Sequence, residues 1–364
     1  MNRAELRFTL RLIPFLDSVE GFEDGLVKLA DRRWLAWHPD VVSALFRNDR
    51  ALRHPPSRTL SPLLGNRSVL WLDGAEHTAY RRTLTPLLRG NRYQALVDEV
   101  VERAIAELPS DPVGLAAWTR TLTLRIIGRI VFGVDDDELL AAFTRWLDRR
   151  LGSRVRTLAH RYLARGTTRF DPDLDRMLLH RARTAEPPAL AACLPEEDLR
   201  DQVVSLLFAG HETTASATAW TLYWIDRTPG LAEELTDEAL LDATIAESLR
   251  LSPPATLAGN RMSGEGMVIT PSIYLAHRRA ATYADPHVFD PGRAQPPPGA
   301  FFPFGGGVRR CPGKDLALLE IRTIVTALLR HRHVRLSPAD CTPQLRGAAM
   351  APPPSLAMVA TCRR

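Results

Sequence analysis

The feature that most constrains the fold is one long helical segment, predicted from about Glu196 to Asp226. The acidic run at 196–198 suits a helix N-terminus, because the positive end of the helix dipole lies there. The Pro229-Gly230 pair then ends the segment. At ~1.5 Å per residue such a helix would exceed ~40 Å, which is long enough to cross a whole domain.

Helices also dominate the rest of the chain. Periodic apolar positions indicate further helices, and short β-branched or aromatic runs indicate a few strands. We therefore predict a mainly α fold with small β-sheets (α+β) and, because no clean linker interrupts the chain, a single domain over 1–364. The predicted helices are Ala75–Leu88, Tyr93–Ala106, Ala117–Phe132, a segment from Thr236 to Pro253, and Asp315–Arg330, with one more opening at HPDVVSALF; the predicted strands are RRWLAWH, MVIT (267–270) and SIYLA (272–276), and residues 285–304 are expected to be irregular.

Composition narrows the class of protein. The net charge is +5, and only Lys28 and Lys314 are lysines, yet no nucleic-acid motif accompanies the positive charge. An acidic protein partner is therefore favoured over a nucleic acid. The four cysteines show no paired spacing, which is typical of a reducing compartment. The N-terminus is neither a membrane anchor nor a convincing signal peptide, so we expect a soluble, cytoplasmic protein. We also expect a monomer.

The strongest chemical motif is FPFGGGVRRCPG, which runs from Phe302 to Gly313. Its three consecutive glycines allow a sharp turn and a close approach to something flat or bulky. Cys311 comes just before the predicted last helix, where the helix dipole and two neighbouring arginines favour a thiolate. A thiolate in such a loop is a suitable soft ligand for iron. The alternative is a buried structural cysteine after a glycine-rich turn.

Two helical motifs accompany the cysteine loop. AGHETT (209–214) lies in the middle of the long helix, where threonine hydroxyls compete for carbonyls one turn back and Gly210 weakens the turn. We expect a local kink or bulge there. In ESLR, Glu247 and Arg250 share a helix face and can pair. On their own, these motifs could equally be a polar helix face and a surface ion pair of little energetic value.

The cysteine motif resembles that of the cytochrome P450 family, Phe-x-x-Gly-x-Arg/His-x-Cys-x-Gly, at Phe304, Gly307, Arg309, Cys311 and Gly313. The likeness extends over nearly all of residues 30–360. It includes Glu247-x-x-Arg250, and AHRR (276–279), where Arg279-Ala280 replaces the usual Asp-Pro. The chain is shorter than most members, chiefly before His77 and somewhat between Arg81 and Glu196, so the pocket is expected to be unusually open, or completed by a partner or a large substrate.

The resemblance implies haem b (iron protoporphyrin IX), held between the long helix and the cysteine loop, with Cys311 as axial thiolate. Glu212 and Thr213 would be the catalytic acid–alcohol pair that delivers protons. Glu247 and Arg250, with Arg293 in FDPGR, would hold the cysteine loop. The implied cofactor-binding residues are His77 and Arg81 in HTAYR, Ala209, Gly210, Arg261, Phe304, Gly305, Arg309, Cys311 and Gly313, of which His77, Arg81, Arg261 and Arg309 would meet the propionates.

The implied activity is O2-dependent oxidation of a hydrophobic small molecule, plausible in secondary metabolism such as antibiotic biosynthesis. The predicted substrate-pocket residues are Leu206, Ala255, Thr256, Leu257, Ala258 and Met350, beside the loop 58–69. Electrons would come from a separate ferredoxin and ferredoxin reductase, which would dock near Arg89, Arg309, Arg310 and Lys314. Three alternatives stay open: a peroxide-driven peroxygenase, oxidative coupling or desaturation on the same scaffold, and a non-catalytic haem-binding protein.

Overall fold

The computed structural model describes residues 3–57, 59–152, 171–337 and 341–363. Helices account for most of the regular structure in these ranges. They are α1 (Arg3–Leu10), α2 (Leu12–Val19), α3 (Pro39–Arg47), α4 (Ser61–Leu64), α5 (Gly74–Leu87), α6 (Gln94–Ala106), α7 (Leu115–Phe132), α8 (Asp137–Leu151), α9 (Pro172–Arg183), α10 (Leu199–Arg227), α11 (Leu231–Glu234), α12 (Glu238–Leu251), α13 (Ile273–Ala276) and α14 (Lys314–His331).

The strands are short and form three small sheets within the described ranges. They are β1 (Leu26–Ala30), β2 (Arg33–Ala36), β3 (Val113–Gly114), β4 (Arg261–Met262), β5 (Val268–Pro271), β6 (Arg332–Leu336), β7 (Gln344–Arg346), β8 (Ala349–Ala351) and β9 (Ala357–Cys362). The sheet orders are β1-β2-β5-β4, β3-β9-β6 and β7-β8. Only the β2–β5 pair is parallel among these pairings.

The chain divides into two compact units, each built from two separate stretches of sequence. Unit 1 comprises Met1–Pro56 and Ala239–Cys311, and unit 2 comprises Ser57–Glu238 and Pro312–Arg364. The organisation as a single domain therefore stays a prediction. No helix in the described ranges is both long enough and apolar enough to cross a membrane.

Unit 1 contains the four-stranded sheet and α12. In it, β2 pairs with β1 on one side and with β5 on the other, so segments from both ends of the unit share one sheet. Leu35 in β2 and Trp37 directly after it are fully buried. The cysteine loop is the last segment of unit 1.

Unit 2 is organised around α10, whose 29 residues make it about 43 Å long. Most of its side chains are buried, because α7 and α14 pack along it. The predicted long helix is thus present, although residues 196–198 form a 3-10 turn before Leu199. α10 remains an α-helix through 209–214, so the bulge expected there is not seen.

One further prediction about secondary structure was wrong, and two helices were not predicted. Residues 273–276 form the helical turn α13 rather than a strand, because the Ser272 hydroxyl accepts a hydrogen bond from the Leu275 N–H and caps it. The N-terminal helices α1 and α2 were not expected, because Arg11 and Pro14 interrupt the apolar patch there. Pro14 fits near the start of α2, where its missing N–H is not needed.

Candidate functional site

The cysteine loop in unit 1 is closed by its own backbone. The Gly305 N–H donates to the Phe302 carbonyl (2.8 Å), and the Cys311 N–H donates to the Phe304 carbonyl (2.9 Å). A 3-10 turn spans Gly307–Arg309. Cys311 ends the loop as an exposed residue, three positions before α14 begins at Lys314. Cys311 therefore lies just before a helix, as the sequence predicted.

Backbone conformation and close contacts explain why the loop needs glycine at three consecutive positions. Gly305 and Gly307 both have φ of +66°, a conformation that side chains disfavour. A Cβ at Gly306 would lie 2.3 Å from the ring of Phe46, and a Cβ at Gly307 would lie 2.1 Å from the carboxylate of Asp49. At Gly306 the loop therefore passes closely by the flat side chain of Phe46.

The loop backbone beyond Gly305 is tied to two buried charges. The Val308 N–H donates to Asp49 Oδ2 (2.8 Å), and Arg261 Nη2 donates to the Gly306 carbonyl (3.0 Å). Asp49 and Arg261 also pair with each other, with Nε–Oδ1 at 2.9 Å and Nη2–Oδ2 at 3.2 Å, and each is 1% exposed. Burial raises the pKa of Asp49, but hydrogen bonds from His54 and Arg261 outweigh it and lower the pKa to about 2.

The start of the loop rests on His277, the histidine of AHRR. Its Nε2 accepts a hydrogen bond from the Phe302 N–H (3.0 Å), and its ring packs against Phe301 and Phe302. Burial, with Arg278 and Arg250 nearby, lowers the pKa of His277 to about 3. The ring is therefore neutral at neutral pH and can act as the acceptor that this geometry requires.

The structure brings together the three residues expected to support the loop. Arg250 pairs with Glu247 through two contacts of 2.7 Å, and Arg293 Nε lies 3.3 Å from Glu247 Oε1. Arg250 also donates to the carbonyls of His277 (2.8 Å) and Pro286 (2.7 Å). Because Glu247 and Arg250 are almost fully buried, this cluster is a structural network rather than a surface ion pair.

In unit 2, α10 is mostly buried but becomes exposed near its middle. Ala209 is exposed, and Gly210 and Thr213 are partly exposed, whereas the residues on either side are buried. Gly210 packs so closely on α7 that an added Cβ would lie 2.6 Å from Ile127 Cγ1. The Thr213 hydroxyl donates to the Ala209 carbonyl (2.9 Å), which is the competition expected of a helical threonine.

Glu212 is a buried carboxylate with a specific cation beside it. Arg120 Nη2 lies 2.6 Å from its Oε1, and His211 Nε2 lies 3.5 Å from the same oxygen. Burial raises the pKa of Glu212, but His211 and Arg120 outweigh it and lower the pKa to about 2. Its second oxygen, Oε2, is buried and accepts no hydrogen bond from the described residues.

The remaining predicted cofactor residues are placed as follows. His77 and Arg81 lie one turn apart on α5, His77 buried and Arg81 partly exposed. Arg309 is partly exposed, and Arg310 beside it is exposed. Arg261 already uses four of its five N–H groups on Asp49, Gly259 and Gly306, which leaves one Nη1 hydrogen for another acceptor.

The predicted pocket residues fall in both units. Leu206 on α10 and Met350 on β8 are buried in unit 2, where the Met350 carbonyl accepts from Trp220 Nε1 (3.0 Å). In unit 1, Thr256 is buried and its neighbours Ala255, Leu257 and Ala258 are partly exposed. Arg58, the first residue of the predicted substrate loop, lies outside the described residues.

The rest of that loop is attached to the start of α10 within unit 2. The Arg67 N–H donates to Asp201 (2.9 Å), and the Arg67 side chain pairs with Asp198 at 2.8 Å. Gln202 accepts from the Val69 N–H (3.2 Å) and donates to the Arg67 carbonyl (2.5 Å). The segment therefore has a defined conformation, including the short helix α4, rather than being an irregular loop.

Sequence reasoning missed four residues that shape these sites: Phe46, Asp49, Arg120 and His54. One sequence signal was available for Arg120, an arginine within the largely apolar run of α7. Asp49 and Phe46 gave no local signal of a contact with the cysteine loop, because Arg261, Gly306 and Val308 are more than 200 positions away in the chain.

Comparison with known proteins agrees with these features. A family model described as Cytochrome P450 matches residues 158–359. Cytochrome P450 137 of Mycobacterium tuberculosis, so assigned, is 31% identical over 320 residues, covering 74% of this chain and 67% of the relative. The same organism's assigned cytochrome P450 135B1 is 29% identical over 377 residues, covering 86% and 79%.

A solved structure extends the likeness to the fold. The crystal structure of CYP175A1 from Thermus thermophilus has a TM-score of 0.77 and 25% identity, covering 97% of this chain and 96% of that one. The prediction of a mainly helical fold with small sheets is thereby confirmed. The family model matches more than half of the chain, and the 31% identical relative aligns with 74% of it. The chain therefore belongs to the cytochrome P450 family and is a haem-dependent monooxygenase.

Proposed function

We propose that this enzyme binds haem b through the thiolate of Cys311 and uses O2 to oxidise a hydrophobic small molecule, in secondary metabolism. The observation that carries the proposal is the exposed Cys311 at the end of a loop whose backbone is fixed at Phe302, Gly306 and Val308. When bound, haem supplies the activation of O2 and the transfer of one oxygen atom.

Each unit, taken by itself, has residues that suit a flat, apolar cofactor with one sulfur ligand. The exposed turn of α10 at Ala209, Gly210 and Thr213 offers small side chains that a planar ring can cover. Cys311, followed by a helix N-terminus and preceded by Arg309 and Arg310, suits an anionic sulfur. We propose that His77, Arg81 and Arg309 bind the propionates, and that Arg261 contributes at most its one remaining N–H.

Glu212 and Thr213 are proposed to handle protons. The Thr213 hydroxyl donates to the Ala209 carbonyl, so its oxygen lone pairs remain able to accept a hydrogen bond from water. Glu212 is ionised at neutral pH, and its Oε2 is a buried acceptor without a partner among the described residues. We propose that this oxygen accepts a hydrogen bond from a water molecule on the proton path and so orders it beside Thr213, since a carboxylate with a pKa of about 2 holds a proton only transiently at neutral pH.

Substrate and electron supply complete the proposal. As substrate contacts we propose the partly exposed Ala255, Leu257 and Ala258 with the buried Thr256 in unit 1, and the buried Leu206 and Met350 in unit 2; these mostly small and apolar residues suit an organic substrate. We propose that a separate ferredoxin, reduced by its own reductase, delivers electrons to a surface that includes the exposed Arg310. A positively charged surface of this kind attracts an acidic partner.

The absorption spectrum of the reduced, carbon-monoxide-bound protein tests the thiolate. We expect a strongly red-shifted Soret band in the wild type and its loss in Cys311→Ala, since alanine offers no sulfur. Cys193→Ala is the matched control, because Cys193 is also an exposed cysteine, and it should keep the band. Survival of the band in Cys311→Ala, or its absence in folded, haem-loaded wild type, would contradict the assignment.

A further inference from the structure

Asp49 is a buried acid that belongs to none of the motifs discussed above. It lies in the 3-10 turn after α3, 1% exposed, and its carboxylate accepts hydrogen bonds from three different residues. Oδ1 accepts from His54 Nε2 (2.9 Å) and Arg261 Nε (2.9 Å). Oδ2 accepts from Arg261 Nη2 (3.2 Å) and the Val308 N–H (2.8 Å). All these residues belong to unit 1.

Together, Asp49 and Arg261 hold both peptide groups that flank Gly307. Arg261 donates to the Gly306 carbonyl, and Asp49 accepts from the Val308 N–H. Gly307 fits between them because it has no side chain: a Cβ there would lie 2.1 Å from Asp49 Oδ2. The conformation of the turn before Cys311 is thus set by two side chains distant in sequence.

The charge balance explains why the pair has to act as a unit. Arg261 is 1% exposed, and a buried guanidinium without its carboxylate would be an uncompensated charge. An asparagine in place of Asp49 has the same shape, but its amide nitrogen cannot accept from Arg261 or Val308. It therefore removes part of the hydrogen bonding and all of the negative charge, with little change in volume.

We propose that Asp49, acting with Arg261, is a positioning residue for the Cys311 loop: it fixes the backbone at 306–308 so that the Cys311 sulfur keeps one orientation. The inference rests on the proposed thiolate function and deepens it. It also gives Arg261 a main role in holding the loop, beyond the propionate contact expected from the sequence. His54 supports the arrangement by donating to the same carboxylate.

Hydrogen–deuterium exchange on the haem-loaded protein tests this directly. In Asp49→Asn we expect the peptide covering 302–311 to exchange at least about tenfold faster, as the loss of a hydrogen bond to a charged group allows. In the same variant, the red-shifted Soret band of the reduced, carbon-monoxide-bound protein should lose part of its intensity. Asp40→Asn is the matched control, since Asp40 lies on α3 with its side chain 95% exposed, and both readouts should stay as in wild type. Unchanged exchange in folded Asp49→Asn overturns the proposal.

Arg261→Lys covers the case in which Asp49→Asn does not fold. It keeps the buried positive charge but loses the fork that contacts Asp49 and Gly306 together. We expect faster exchange at 302–311 here as well, and wild-type exchange would refute the positioning role. Failure of the proposed function is distinguishable, because it would show as a missing red-shifted band in the wild type itself, whatever the exchange of the loop.

Discussion

Glu212 shows how much the ionisation of one buried residue depends on the charged and polar side chains around it. Its carboxylate lies in the core of unit 2 and is nevertheless ionised, because His211 and Arg120 lower its pKa to about 2. This lowered pKa determines how the stability of the protein changes with pH. The contribution to stability is fully present above the unfolded value of 4.5 and is lost as the pH falls through about 2.

Replacing Arg120 with methionine should therefore destabilise the protein at pH 7 by about 3–5 kcal/mol, because it leaves a buried carboxylate partly uncompensated. Lowering the pH from 7 to 5 should reduce this loss of stability. The pKa of Glu212 rises in the variant, and protonation of Glu212 removes the uncompensated buried charge. Urea unfolding at both pH values measures the difference.

Arg125→Met is the control for that experiment. Arg125 lies on the same helix, but it is 32% exposed and pairs with the exposed Glu107 and Asp137. Exposed pairs contribute less than about 1 kcal/mol, so little should change. Equal stability of the two variants at pH 7 would show that Arg120 does not neutralise Glu212.

The residues of the cysteine motif could be identified from sequence because they lie within twelve positions of one another. The side chains that hold them could not. Asp49 is 259 positions from the Val308 N–H it binds, and Arg120 is on a different helix from Glu212. A local pattern contains no information about such pairs until the chain has folded.

At the scale of elements, the contact between α7 and α10 depends on one missing side chain. Gly210 lies against Ile127, and the Thr123 hydroxyl reaches the His211 carbonyl (3.0 Å) across the same interface. A glycine within a helix costs about 1 kcal/mol relative to alanine. Its presence in α10 is explained by the close approach of the two helices.

The variant Gly210→Ala should consequently lower the free energy of unfolding by about 1–3 kcal/mol, since overpacking exceeds the gain in helix propensity. The same change in an Ile127→Ala background should be neutral or stabilising, because the Cγ1 and Cδ1 atoms that it would meet are gone. Thermal unfolding of the four proteins provides the comparison. A similar loss in both backgrounds would mean that the effect does not arise at this contact.

Element prediction succeeded where a segment was long and periodic. α10 and α14 were placed within three residues of their observed ends. It failed for Ile273–Ala276, because a four-residue apolar run fits a strand or a helical turn equally well, and the Ser272 cap decides between them. The segments α1 and α2 were missed because they are short and Arg11 separates them.

At the scale of the whole molecule, charge governs the encounter with an electron donor. The net charge of +5 would attract the proposed acidic ferredoxin over a long range, and salt would screen that attraction, because the Debye length falls from ~10 Å at 0.1 M to ~3 Å at 1 M.

Reduction by an acidic ferredoxin should therefore slow by about tenfold or more between these salt concentrations. Arg310→Glu should slow reduction at low salt more than Arg176→Glu does, although Arg176 is 75% exposed. Stopped-flow absorption measures these rates, and a neutral small-molecule reductant serves as the salt control. Equal slowing by both variants would exclude Arg310 from the docking surface.

The assembly of unit 1 from two distant stretches has a consequence for synthesis on the ribosome. Strand β2 emerges early, whereas its partner β5 follows only after Ser57–Glu238 has been made. At ~5–20 residues per second, that interval lasts roughly 10 to 40 s. During it the nascent hairpin β1–β2 exposes an unpaired strand edge, and Asp49 has neither Arg261 nor Val308 to bind. The N-terminal segment of unit 1 therefore stays incompletely paired until these partners are made, and we expect a chaperone that covers strand edges to improve its folding.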